Sequence, residues 1–166
     1  AVPADGIGMA RQAADQGDAE AAHLCATIAA NDDQLPGRWN IALDYLLRAA
    51  QGGYSLAQKE LSLLSGAAGA DWTAMRTHID IGNWLAVPAA QERSASPVIR
   101  SYPGFLPPQF CDWIVDRSKD RTQPATVILP ETGTGARMDQ TRSNTHAGFD
   151  LSECDVILML MRARIA

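Results

Sequence analysis

The sequence predicts an α+β chain that is mainly α. Three observations carry that prediction. An alanine-rich pattern occurs twice, at residues 9–30 and 45–66; short β-forming runs punctuated by Pro and Gly begin at Val98; and an apolar helical stripe closes the chain. Together they divide it into a helical-repeat region at residues 1–70, a joint and linker at 71–97, and a strand–helix–strand region at 98–166.

In the repeat, Ala13-Ala14 aligns with Ala49-Ala50, Gly17 with Gly53, Ala21 with Ala57, Cys25 with Leu61 and Ile28 with Leu64. The offset is 49 − 13 = 36 residues, within the range of helix-pair solenoids. Each alanine pair lets the next helix approach closely, and each glycine is placed to end its helix in a left-handed cap. Asp18 and Ser55 are the expected N-caps of the helices that follow. Residues 31–38 carry Asn-Asp-Asp and Pro-Gly and read as a loop, after which Trp39, Ala42, Leu43, Leu46 and Leu47 share one helical face. The pattern A-A-x-x-G-[DY]-x-x-A resembles Sel1-like repeats, a tetratricopeptide-type class that usually mediates protein contacts. Two units are few for independent stability, so the region is expected to pack against something else. A plain four-helix domain without a binding role stands beside a docking surface as its reading.

In the joint, Asp71 is a candidate N-cap, with Trp72, Met75 and Ile79 on one face of a short helix. Residues 89–97 are polar and read as a linker. His78-Ile79-Asp80, with His146 146 − 78 = 68 residues on, has the form of a 2-His-1-carboxylate iron set. It is set aside: i and i+2 residues do not face together on a helix. The expected roles are a surface histidine and a helix-terminal aspartate.

From Val98 the chain reads as a strand, the Pro103-Gly104 turn, a helix opened by Pro107-Pro108, the strand Thr126–Leu129, a Gly-rich loop and a polar extended segment. Phe110, Trp113, Ile114 and Arg117 fall at i, i+3, i+4, i+7. The two loop glycines, Gly133 and Gly135, lack the third glycine or Lys-Ser/Thr pair of a phosphate cradle. On a strand Arg142 and Asn144 share a face. Ser152 and Asp155 form an approximate capping box, and Val156, Ile157, Leu160, Met161 and Ile165 form the last apolar stripe. That face requires a partner, and self-association through it is an expectation.

The pieces Gly104-Phe105-Leu106, Cys111-Asp112-Trp113-Ile114, Pro124-Ala125-Thr126-Val127, Thr132-Gly133, Arg142-Ser143-Asn144 and Arg164-Ile165-Ala166 occur in the order found at the front of prolyl 4-hydroxylase-like oxygenases. The resemblance covers about the last 70 residues. It implies the incomplete front of a double-stranded β-helix (jelly-roll) domain in a dioxygenase that uses Fe(II), 2-oxoglutarate and in some cases ascorbate on a peptide or protein substrate. It also implies that the loop closes over the peptide and that Arg142 and Asn144 line its groove; an ordinary solvated or ion-paired arginine is the other reading of Arg142. The family's His-x-Asp, distal His and Lys or Arg come after the Arg-[TS]-[SN] segment, beyond Ala166. No catalytic residue, metal ligand or cofactor is therefore expected within these residues, and the chain alone is expected to be inactive. The rival expectation is a helical-repeat interaction module without catalysis.

The formal charge of −5 argues against nucleic-acid or anionic-membrane partners, which need clustered Lys and Arg. No run of 18 apolar residues and no basic region ahead of an apolar stretch is present, which predicts a cytoplasmic protein without a membrane span. Cys25, Cys111 and Cys154 form no C-x-x-C pair and read as free buried thiols. A Cys111–Cys154 disulfide requires a fold that brings the two together.

Overall fold

The computed structural model describes residues 4–128, 136–138 and 144–166. The chain is mainly helical, with small two-stranded antiparallel sheets among the described residues. Its compact units follow packing rather than chain order. One joins residues 1–107 to Leu151–Ala166, and the other is Pro108–Asp150.

The larger unit is built on two helix pairs, α1 (Ala4–Asp15) with α2 (Ala19–Asn31) and α3 (Arg38–Gln51) with α4 (Ser55–Ser65). The turns inside the pairs repeat atom for atom. Gly17 has φ 95° and Gly53 φ 88°. The Gly17 amide donates to Ala14 O and the Asp18 amide to Ala13 O, at 3.1 and 3.0 Å; Gly53 and Tyr54 donate to Ala50 O and Ala49 O at the same distances. Both turns thus satisfy the helix-end carbonyls with a glycine in the left-handed region. Gly53→Val is expected to cost on the order of 1 kcal/mol or more, because a β-branched residue resists positive φ. A urea unfolding curve superimposable on wild type would refute the cap.

The second helices start differently. Asp18 caps α2 as expected, accepting from the Ala21 amide at 2.8 Å. Ser55 does not cap α4. It is the first helical residue, and the N-cap is Tyr54, whose side chain makes no capping bond. The Tyr54 ring is turned toward His23 instead, with ring centroids 5.0 Å apart.

The core combines small buried residues of α2 with buried leucines of α3 and α4. Ala22, Cys25, Ala26, Ala29 and Ala30 of α2 are buried, as are Ala42, Leu43, Leu46, Ala49 and Ala50 of α3 and Ala57, Leu61 and Leu64 of α4. Alanine keeps the helices close. At Gly52 the spacing is tighter still: a Cβ there would lie 2.7 Å from Ala19 Cβ. The repeat equivalence holds at the turns and at Cys25 and Leu61, but Ala21 and Ile28 are only half-buried where Ala57 and Leu64 are buried.

In the joint, α5 (Trp72–His78) is capped by Asp71, which accepts from the Ala74 amide at 2.9 Å, and buries Met75. Asp80 then caps α6 (Ile81–Leu85). The polar stretch expected to be a linker is a strand. Residues Gln91–Ala95 (β1) pair antiparallel with Val98–Ser101 (β2), with a register shift between Glu92 and Ser94. Nearly every residue of the hairpin is exposed, Val98 and Ile99 included, so its strands lack the apolar alternation that marks a half-buried strand.

The last helix, α8 (Val156–Ile165), packs against α2 and α6. Its start corrects the expected capping box. Ser152 lies in a 3-10 turn, Leu151–Glu153, and the N-cap is Asp155, which accepts from the Leu158 amide at 2.8 Å. Val156, Ile157, Met159 and Leu160 are buried. The apolar face therefore finds its partner within the chain, which removes the reason to expect self-association through it; Ile165 stays exposed. Arg164 donates to Trp84 O at 3.0 Å and lies over the Phe105 ring, 5.1 Å from its centroid.

In the smaller unit, α7 (Pro108–Ser118) begins on proline, buries Phe110 and half-buries Trp113, Ile114 and Arg117, the face expected from the sequence. Strand β3 (Gln123–Pro124) pairs with β6 (Thr145–His146), and β4 (Thr126–Ile128) pairs with β5 (Ala136–Met138), both antiparallel. Arg117 and Arg121 both lie over the Phe149 ring, at 6.0 and 5.2 Å.

Candidate functional site

Of the expected groove residues, Arg142 lies outside the described residues, as does the Thr132-Gly133 segment. Asn144 is exposed, and its backbone carbonyl accepts from the Ala125 amide at 3.0 Å. That bond extends the β3–β6 pairing by one step, where Thr145 faces Pro124 and His146 faces Gln123. Asn144 thus lies exposed immediately before β6.

The His78-Ile79-Asp80 triplet does helix-end work. The His78 ring Nδ1 lies 2.6 Å from Ala74 O, Ile79 is buried, and one Asp80 carboxylate oxygen accepts from both Gly82 N and Asn83 N. Among the described residues no group of three or more His, Cys, Asp or Glu is placed to hold a metal ion. The polar atoms of this triplet are thus engaged in helix-end bonds and do not fit an iron centre.

The residues that sequence reasoning missed are His23 and Glu60. On α4, Glu60 occupies a stripe otherwise made of Ala57, Leu61 and Leu64, and it is 0% exposed. Its Oε2 lies 2.6 Å from His23 Nε2 on α2, and its Oε1 accepts from the Val156 amide at 2.8 Å. Burial pushes the Glu60 carboxyl above its usual range; the hydrogen bond and charge of His23 oppose that, the nearby Asp155 adds to it, and the Val156 amide opposes it. Thr27 Oγ1 completes the cluster, within reach of His23 O and Cys154 O at 3.3 and 3.4 Å. A carboxylate in an apolar stripe is the signal that sequence inspection had available. The dyad is closed to solvent, so its chemistry is that of holding helices in register.

No disulfide joins the cysteines. Cys25 is buried and burial raises its thiol pKa, whereas Cys154 is half-buried and Cys111 exposed, so the expectation of three buried thiols holds for Cys25 alone. A cleft of about 90 Å³ lies between the end of α2 and α8. It contains an Arg38–Asp33 ion pair and a hydrogen bond from Arg162 to Asn31. It is far below the roughly 300 Å³ at which small-molecule sites begin. No described helix is long and apolar enough to cross a membrane. No family model, curated protein or solved structure matches the chain.

Proposed function

We propose that the chain is the front part of a 2-oxoglutarate- and iron(II)-dependent oxygenase acting on a prolyl or similar residue of a peptide or protein, carried behind a Sel1-like helical unit. One observation carries the reading: the strand pairing within residues 123–146. Val127 faces Arg137 across β4 and β5, and Pro124 faces Thr145 across β3 and β6. The segment with Thr132-Gly133 therefore joins two paired strands, and Arg142 and Asn144 immediately precede a third. That is the order the resemblance to prolyl 4-hydroxylases implies for a substrate loop and its groove.

In this reading the planar guanidinium of Arg142 hydrogen-bonds backbone carbonyls of the peptide, and Asn144 adds a second polar contact. Iron and 2-oxoglutarate would supply the oxidising chemistry, on ligands that the resemblance places after the Arg-[TS]-[SN] segment. With Fe(II), 2-oxoglutarate and peptide supplied, residues 1–166 are expected to release no succinate above a no-enzyme control. Release that disappears on His78→Ala would reinstate the His78-Asp80-His146 set. In the parent protein, Arg142→Ala is expected to raise KM for peptide about 10- to 150-fold, the worth of a charge-assisted hydrogen bond, with little change in kcat. Loss of peptide-independent 2-oxoglutarate turnover in that variant would move Arg142 from the groove to the fold or the cofactor site.

A helical-repeat interaction module without catalysis is the second reading. The matched caps at Gly17 and Gly53 favour it, since repeated helix pairs are the building unit of solenoids. A parent protein with no 2-oxoglutarate turnover on any peptide would decide for it.

A further inference from the structure

The start of α8 is held by polar groups from two other helices. Val156 N is one of the amides that a helix start leaves without an intrahelical partner, and Glu60 Oε1 of α4 accepts from it at 2.8 Å. Glu60 Oε2 is committed to His23 of α2 at 2.6 Å, and Thr27 of α2 reaches Cys154 O at 3.4 Å. Asp155, itself 0% exposed, takes the Leu158 amide. Two carboxyl groups and one imidazole thus share a buried junction of α2, α4 and α8.

We propose that this junction is a proton-dependent clasp: α8 docks on the helical unit while Glu60 keeps its proton between His23 and the Val156 amide, and loosens when that proton is lost. The charged and titratable groups bearing on Glu60 are His23 from α2 and Asp155 from the start of α8. Loss of that proton leaves Glu60, 0% exposed, as a buried carboxylate beside Asp155, and buried charge without full compensation is costly. The sign follows from burial. A carboxyl held above its usual range stabilises docking fully below the ordinary glutamate pKa, and that contribution disappears as pH rises through the raised value. Because residues 108–150 leave the helical unit at Pro107 and return to it at Leu151, loosening α8 frees one end of that segment.

The test is hydrogen exchange of the 166-residue chain at several pH values, comparing wild type with Glu60→Gln and Glu60→Ala at each pH so that intrinsic exchange chemistry cancels. Gln keeps an acceptor for Val156 N and a donor for His23 but cannot ionise. Protection of α8 in wild type is expected to fall below that of Glu60→Gln as pH rises, with α1 to α3 unchanged. Glu60→Ala is expected to speed exchange in α8 about 10- to 100-fold at every pH, the effect of orphaning buried partners. Unchanged protection of α8 in Glu60→Ala, or the same pH dependence in Glu60→Gln as in wild type, would overturn the clasp. If Glu60→Ala does not fold, the comparison of wild type with Glu60→Gln decides alone.

Discussion

Leu46→Ala is expected to lower the free energy of unfolding by about 2–5 kcal/mol, toward the upper end of that range. Leu46 is 0% exposed on the inner face of α3, beside Leu43, Ala42, Ala49 and Ala50, all equally buried. The cost of a large-to-small change depends on how far the surroundings can collapse into the space left behind. Here they cannot collapse far. The helix packed most extensively on α3 is α2, whose buried residues are mostly alanine, and an alanine has no side-chain torsion with which to swing into a cavity. Leu47, half-buried on the same helix, is the internal control and should lose clearly less. Urea unfolding followed by far-UV circular dichroism should show a lower midpoint at unchanged slope. A loss below about 1 kcal/mol would mean that the α3 face is not the core of the unit.

The two helix pairs were legible because their signals are local. A glycine after an alanine pair has one low-cost conformation at a helix end, so the caps at Gly17 and Gly53 could be placed from residue type and spacing. The Asp71 cap and the Phe110, Trp113, Ile114, Arg117 face of α7 were readable for the same reason. The hairpin of β1 and β2 was not, because most of its side chains face water and the alternation that reveals a strand is missing. Docking of α8 on α2 depends on partners more than a hundred residues apart, which periodicity does not encode. The stripe Val156, Ile157, Leu160 shows that a face must be buried, but not against what. Tyr54 shows the limit of capping rules: an aromatic residue gives up the N-cap bond to pack on His23. The expected groove residues were named from a resemblance; of them, Asn144 is described, exposed and immediately before β6.

The His23–Glu60 pair offers the other large effect, and a double-mutant cycle can separate its worth from that of the sites around it. Glu60→Met keeps similar bulk but orphans both the His23 ring nitrogen and the Val156 amide. At about 1–3 kcal/mol for each orphaned buried group, the expected loss is about 2–6 kcal/mol. His23→Leu orphans one oxygen of a carboxyl group that is 0% exposed, for about 1–3 kcal/mol, or more if the carboxyl is ionised. In the double variant neither side chain has a polar group left to satisfy. The Val156 amide alone lacks its Glu60 acceptor, so the expected loss falls back to about 1–3 kcal/mol. The double variant should therefore be no less stable than Glu60→Met alone, with a coupling energy of about 2 kcal/mol or more between the sites. Chemical denaturation of the four proteins at one pH measures this directly. Additive losses would show that His23 and Glu60 are buried side by side without depending on each other, and the 2.6 Å contact would carry no energy of its own.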